Sequence, residues 1–121
     1  MRYLLLIYGD ETSRPDMTPD EANAAMKPWI DYSNWLAEKG WMKGGDALQE
    51  TEHATSVRVQ GDERVVTDGP FAETKEQLGG YYLIDVDNLD DAIEAAARCP
   101  GAQYGTIEVR PIMELDLPGG S

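Results

Sequence analysis

The chain carries a single cysteine, Cys99, so no disulfide can form within it. That usage suits a reducing compartment, and the chain is read as an intact cytoplasmic protein. It carries a single histidine, His53, and its acidic residues lack the spacing of a calcium loop. No metal site is therefore expected. Gly44-Gly45 and Gly79-Gly80 fit neither nucleotide-binding glycine pattern, so no cofactor is expected either. Basic residues are scarce: 10 Lys and Arg face 23 Asp and Glu, for a net charge of −13. Such a surface repels phosphate backbones and anionic lipid, which argues against nucleic acid and membrane as partners. The apolar run Leu4-Leu5-Leu6-Ile7 is far too short to span a bilayer, and no basic segment precedes it as in a secretory signal.

What the chain does contain is enough apolar material for one core. Its 121 residues are 41% apolar and 27% charged, the composition of a single globular domain. That domain is placed at residues 1–116, followed by a flexible tail over 117–121. Tyr3 to Tyr8 is almost continuously apolar and reads as a central strand covered on both faces. Thr18-Pro19-Asp20-Glu21 is a helix start, with Thr18 as cap, Pro19 at the first helical position and Glu21 completing a capping box. The helix is expected over Pro19 to Lys39, with Ala22, Met26, Trp29, Ser33 and Leu36 on its buried face and Gly40 as its terminator. Pro28 predicts a kink, or two short helices meeting at Lys27.

Trp41 to Leu48 reads as a second strand, weakened or bulged at Gly44-Gly45. Val57 and Val59, then Val65-Val66 beyond Gly61-Asp62, predict a hairpin. Tyr81 to Val86 is a strong strand. Asn88 caps a second helix, with Asp90 and Asp91 in its first turn and Leu89, Ile93 and Ala96-Ala97 on its buried side. Thr106 to Leu115 is the last strand, with Ile107 and Val109 inward and Glu108 and Arg110 outward. Two strand-helix-strand units in sequence predict an α+β, ferredoxin-like antiparallel sheet with two helices on one face and an inserted β-hairpin. Tyr3, Leu5, Ile7, Tyr81 and Leu83 cannot all face water, so a second copy is expected on the other face of the sheet.

Chemistry is sought first in Asp68-Gly69-Pro70-Phe71-Ala72-Glu73-Thr74-Lys75-Glu76, a charged turn between two strands. Asp68 is the leading candidate, either capping its own turn or presenting a carboxylate to a cleft. Glu73 and Lys75 form either a surface ion pair or a binding pair. His53 lies in the polar stretch Glu50-Thr51-Glu52-His53, where it is either an inert surface residue or a weak candidate general base. Phe71, Tyr8 and Tyr82 complete the candidate ligand-binding set. Cys99 is expected to pack at a helix end. Arg110 either meets an anionic ligand or pairs with a carboxylate such as Glu108. Trp35, off the apolar stripe of its helix, is the tryptophan placed to line a cleft or partner surface.

The run Asp68-Gly69-Pro70-Phe71 with Ala72-Glu73-Thr74-Lys75-Glu76 resembles the signature of the DGPF proteins, a branch of the YCII-related family. Met1 to Asp10, Gly44 to Leu48, Ala54 to Arg58 and Gly105 to Met113 are similar to other parts of that family, so the resemblance covers nearly the whole chain. It implies a ferredoxin-like fold pairing as a dimeric α/β barrel, hence a homodimer. Most DGPF proteins have no assigned reaction. The expected function is a homodimeric binder of a small aromatic or apolar ligand. The alternative is a cofactor-independent enzyme, lyase- or dehydrochlorinase-like, moving a proton through Asp68. Some relatives carry a histidine on the first helix paired with an aspartate in the later loop; here that helix has no histidine, and Asp68 stands without its partner. The family's association with extracytoplasmic-function sigma factors implies a regulatory protein partner as a third possibility.

Overall fold

The computed structural model describes residues 1–116; the tail expected over 117–121 lies outside the described residues. Strand β1 (Arg2–Gly9) is followed by helix α1 (Pro19–Glu38) and strand β2 (Met42–Ala47). A hairpin of β3 (Thr55–Gln60) and β4 (Glu63–Asp68) comes next, then β5 (Gln77–Asp85), helix α2 (Leu89–Arg98) and β6 (Thr106–Pro111). The main sheet has the order β2-β5-β1-β6, and each neighbouring pair is antiparallel. The hairpin forms a separate two-stranded sheet. This is the expected α+β plan, and within the chain the sheet is open, not closed into a barrel.

The start of α1 follows its local chemistry. The Thr18 hydroxyl accepts from the backbone of Glu21, and the Glu21 carboxylate accepts from the backbone of Thr18. Just past the other end, Gly40 takes φ +73, a conformation that a side chain would resist. Against the expectation of two helices, α1 runs unbroken through Pro28. Pro28 is exposed, so its ring meets solvent and not the core.

The faces differ from expectation in both helices. In α1 the buried residues are Tyr32 and Leu36, with Trp29 partly buried, whereas Met26 is 53% exposed and Ala22 is exposed. In α2 the buried residues are Ala92, Ala95 and Ala96, while Leu89 and Ile93 are each 50% exposed and Ala97 is exposed. Small alanines let this helix approach the sheet closely, which bulkier side chains would prevent.

The core lies between the helices and one face of the sheet. Tyr3 and Leu5 of β1 oppose Ile84 and Tyr82 of β5, and all four are buried with Leu36, Val86, Ala92, Ala95 and Cys99. Ile7, Ile107 and Val109 pack against this cluster. The expectation had grouped Tyr3, Leu5 and Ile7 with Tyr81 and Leu83 as one surplus apolar face. The pleat separates them: the first three lie under the helices, and only Tyr81 and Leu83 belong to the other face. Strand β1 is central, but its own chain covers it on one face only.

The strand ends also shift. β5 begins at Gln77, so Gly79-Gly80 lies inside the strand, at a register irregularity opposite Ile7 and Tyr8. A second irregularity falls between Met42 and Gly44, just before the Gly44-Gly45 pair at which weakening or a bulge was expected. β6 stops at Pro111, well short of Leu115.

Candidate functional site

Alternation along β1 turns Leu4, Leu6 and Tyr8 away from the helices. In the ladder Leu4 opposes Leu83 and Arg110, Leu6 opposes Tyr81 and Glu108, and Tyr8 opposes Leu78 and Thr106. β2 adds Gly44 opposite Leu83 and Asp46 opposite Tyr81. These residues form the open face of the sheet. Leu4, Leu6 and Leu83 stay half-buried at its centre, with no helix over them.

Polar pairs frame that apolar centre. On the β2 side, the Tyr81 hydroxyl donates to Oδ2 of Asp46 at 2.6 Å. On the β6 side, Arg110 Nη2 donates to Oε2 of Glu108 at 2.7 Å, and the Tyr8 hydroxyl donates to Oε1 of the same carboxylate at 3.3 Å. At one end Arg2 grips Glu114 through two bonds of 2.8 and 2.9 Å. At the other, Thr106 Oγ1 donates to Oε1 of Glu76, 2.9 Å away.

The charges follow the pairing. The hydrogen bond from Arg110 is the main cause that holds Glu108 below the ordinary glutamate value. The bond to Asp46, then the aspartate's charge, raises the Tyr81 phenol above the ordinary tyrosine value. This face therefore offers a small apolar floor, two phenols hydrogen-bonded to carboxylates, and two guanidiniums, Arg110 on the β6 side and Arg2 at one end. Such a set can orient a small molecule that has an apolar body and polar edges.

The structure disperses the residues proposed from sequence. Tyr8 lies on the open face. Tyr82 lies on the opposite, helix-covered face, where its hydroxyl is 2.9 Å from Ser33 Oγ and its ring meets Tyr32 edge-on at 5.3 Å. Asp68 ends β4, and its exposed carboxylate makes no hydrogen bond or ion pair among the described residues. The Asp68 side chain therefore does not cap its own turn. The turn is held instead by Gly69, at φ +96, whose N–H donates to Ala54 O at 2.7 Å and whose carbonyl accepts from Ser56 Oγ at 2.8 Å.

Phe71 is 85% exposed beyond this turn. Glu73 and Lys75 are exposed and form no ion pair with each other among the described residues. His53 sits in a 3₁₀ turn and pairs with Glu52 at 3.4 Å. Trp35 packs on Tyr32 and Trp41, beneath the cations of Lys39 and Arg98, on the helix side. It lines an interhelical groove of about 540 Å³ with Tyr104 and Arg98.

The outward placement of Glu108 and Arg110 was readable from alternation. Asp46 and Tyr81 were not singled out, because their pairing depends on the β2–β5 register across 35 residues of sequence. Among the described residues no three His, Cys, Asp or Glu side chains converge as metal ligands, and no helix is long and apolar enough to cross a membrane.

Fold and site together define an α+β protein with two helices, an open antiparallel sheet whose free face is framed by polar pairs, and a separate hairpin. The chain belongs to the YCII-related family: residues 1–116 match the YCII-related domain. It is also similar to an uncharacterized protein of Rhizobium meliloti (strain 1021), 37% identical over 121 residues that span 98% of this chain and 97% of the relative.

Proposed function

We propose that the chain acts as a homodimer in which two open sheet faces close on each other and hold a small aromatic or apolar ligand between them. The observation that carries this reading is the uncovered centre of Leu4, Leu6 and Leu83, framed by Tyr81–Asp46 and Tyr8–Glu108–Arg110. A sheet with one buried face normally turns polar side chains outward on the other; this one keeps leucines there. Two such faces stacked about 10 Å apart form the interior of a dimeric α/β barrel. Phenols and carboxylates at the rim favour a ligand with hydroxyl or carboxyl edges. A cytoplasmic setting suits the buried, unpaired thiol of Cys99.

Sedimentation and thermal shift test this reading together. Wild type is expected to sediment as a dimer and to be stabilised by some members of a panel of phenols and aromatic acids. Leu6→Arg is expected to abolish both effects while leaving the fold intact, since Leu6 faces away from the core. A wild type that stays monomeric at high concentration sinks the reading.

A second reading, a cofactor-independent enzyme moving protons, is favoured by the free carboxylate of Asp68 and by the phenol–carboxylate pair at 2.6 Å. Its mark is turnover of a bound compound that falls in Asp68→Asn while affinity stays. Binding without turnover in wild type rejects it.

A further inference from the structure

The β3–β4 hairpin shares no ladder with the main sheet. Its register places Val57 opposite Val66 and Val59 opposite Arg64, so three valines and one arginine occupy the same side of the ribbon. These valines are bare: Val57 is 61% exposed, Val59 67% and Val66 57%. Phe71, just past the base of the ribbon, is 85% exposed. A two-stranded hairpin with an uncovered apolar side is marginal in water. Three exposed valines side by side on one face of a ribbon mark a contact with another chain.

We infer that the hairpin is an arm whose Val57–Val59–Val66 side packs on a second copy of this chain. The inference rests on the homodimer reading above and adds a contact which that reading does not contain. Charge and area both point to the second copy. Arg64, on the same side of the ribbon as the valines, is one of the chain's ten cations and forms no ion pair among the described residues. The body that would receive it belongs to a chain with 23 acidic residues and a net charge of −13. The apolar part of the open sheet face is narrow, with Leu4, Leu6 and Leu83 at its centre and Leu78 beside Tyr8. A stable interface buries roughly 800 Å² per partner around an apolar core. Two arms, related by the two-fold axis of a dimer, add three valines from each copy to that core.

The experiment compares wild type, Leu6→Arg and the double variant Val57→Asp/Val66→Asp by sedimentation across a concentration series. Both valines are exposed in the single chain, so the variant keeps its core, and an unchanged circular-dichroism spectrum verifies this. The expected result is a dimer dissociation constant at least about tenfold larger for the valine double variant, a change of roughly 1.4 kcal/mol. A second measurement locates the arm directly. A nitroxide attached through Gln60→Cys, on the other side of the ribbon, labels the arm alone and leaves the three valines in place, because Cys99 is 1% exposed. Mixed with isotope-labelled wild type, it is expected to broaden backbone amide signals of the other copy.

A valine double variant that dimerises like wild type, with no broadening across copies, overturns the arm. If Leu6→Arg still breaks that dimer, the homodimer reading survives alone. A monomeric wild type removes both.

Discussion

The Tyr81 hydroxyl donates a 2.6 Å hydrogen bond to Oδ2 of Asp46, tying the edge strand β2 to β5 across the open sheet face. The bond favours the neutral phenol, and the nearby carboxylate disfavours a phenolate, so the tyrosine holds its proton above the ordinary value of 10.0. A group whose folded pKa is raised adds stability below its unfolded value and loses that contribution as pH rises through the folded value. Asp46→Asn removes the charge, so Tyr81 is expected to titrate nearer 10.0. Ultraviolet phenolate titration of the variant, with Tyr81→Phe to isolate the signal, measures this. An unchanged titration would show that Asp46 does not hold the phenol.

Strand and helix existence was legible in the sequence, because caps, turns and alternation are local. Thr18 and Glu21 announced α1, and Gly61-Asp62 announced the hairpin. Which face each element buries was less legible. β1 is apolar at both parities from Tyr3 to Tyr8, so alternation could not say which residues lie under the helices. In α2 the larger residues Leu89 and Ile93 suggested the buried side, yet the alanines take it because the helix sits close to the sheet. The charged turn was correctly read as a turn, but the positive φ of Gly69 and backbone hydrogen bonds hold it without the Asp68 carboxylate. The Tyr81–Asp46 pair was invisible, since only the β2–β5 register brings the two together.

Acid should loosen the fold through identifiable pairs. Glu108 is held below the ordinary 4.5 chiefly by the hydrogen bond from Arg110, and Glu114 by that from Arg2. Asp10 is held below 3.8 by the Thr12 hydroxyl and backbone. Carboxylates with depressed folded pKa values contribute stability above their unfolded values and lose it as pH falls through the folded ones. Melting temperature is expected to hold from neutral pH to about pH 5 and then to decline. Arg110→Gln should move Glu108 back toward 4.5 and make that decline shallower. Carbon-detected NMR titration of the Glu108 carboxyl, beside melts at each pH, checks both parts. A Glu108 value unmoved by the substitution would contradict the pairing.

Two glycines should respond oppositely to the same substitution. A Cβ at Gly105 would run into the carbonyl oxygen of Tyr8, a backbone atom that cannot swing aside. A Cβ at Gly44 would meet nothing within 4 Å. Gly105→Ala is therefore expected to destabilise by about 1–3 kcal/mol or more, as overpacking does. Gly44 lies on the open sheet face, so its variant is compared in a Leu6→Arg background that keeps the chain single; there Gly44→Ala, which meets none of the chain's own atoms, is expected to lie within about 0.5 kcal/mol of its parent. Urea unfolding of the two variants gives the comparison. Equal stabilities would mean that the loop before β6 yields easily.

Pro28 offers a stabilising test inside α1. The helix runs through it unbroken, so the carbonyl of Ala24 has no N–H to receive at position 28, and the ring crowds the preceding turn. The side chain is exposed and packs in no core, so replacing it removes no buried contact. Pro28→Ala restores the missing donor and brings the best helix former to that position. The expected gain is roughly 1–3 kcal/mol, at or below the full proline penalty of a helix interior. Urea unfolding should show a higher midpoint with an unchanged slope. A lower midpoint would mean that Pro28 contributes through its place on the wall of the groove with Tyr32 and Trp35. In that case the proline supports the helix pair more than it strains the helix.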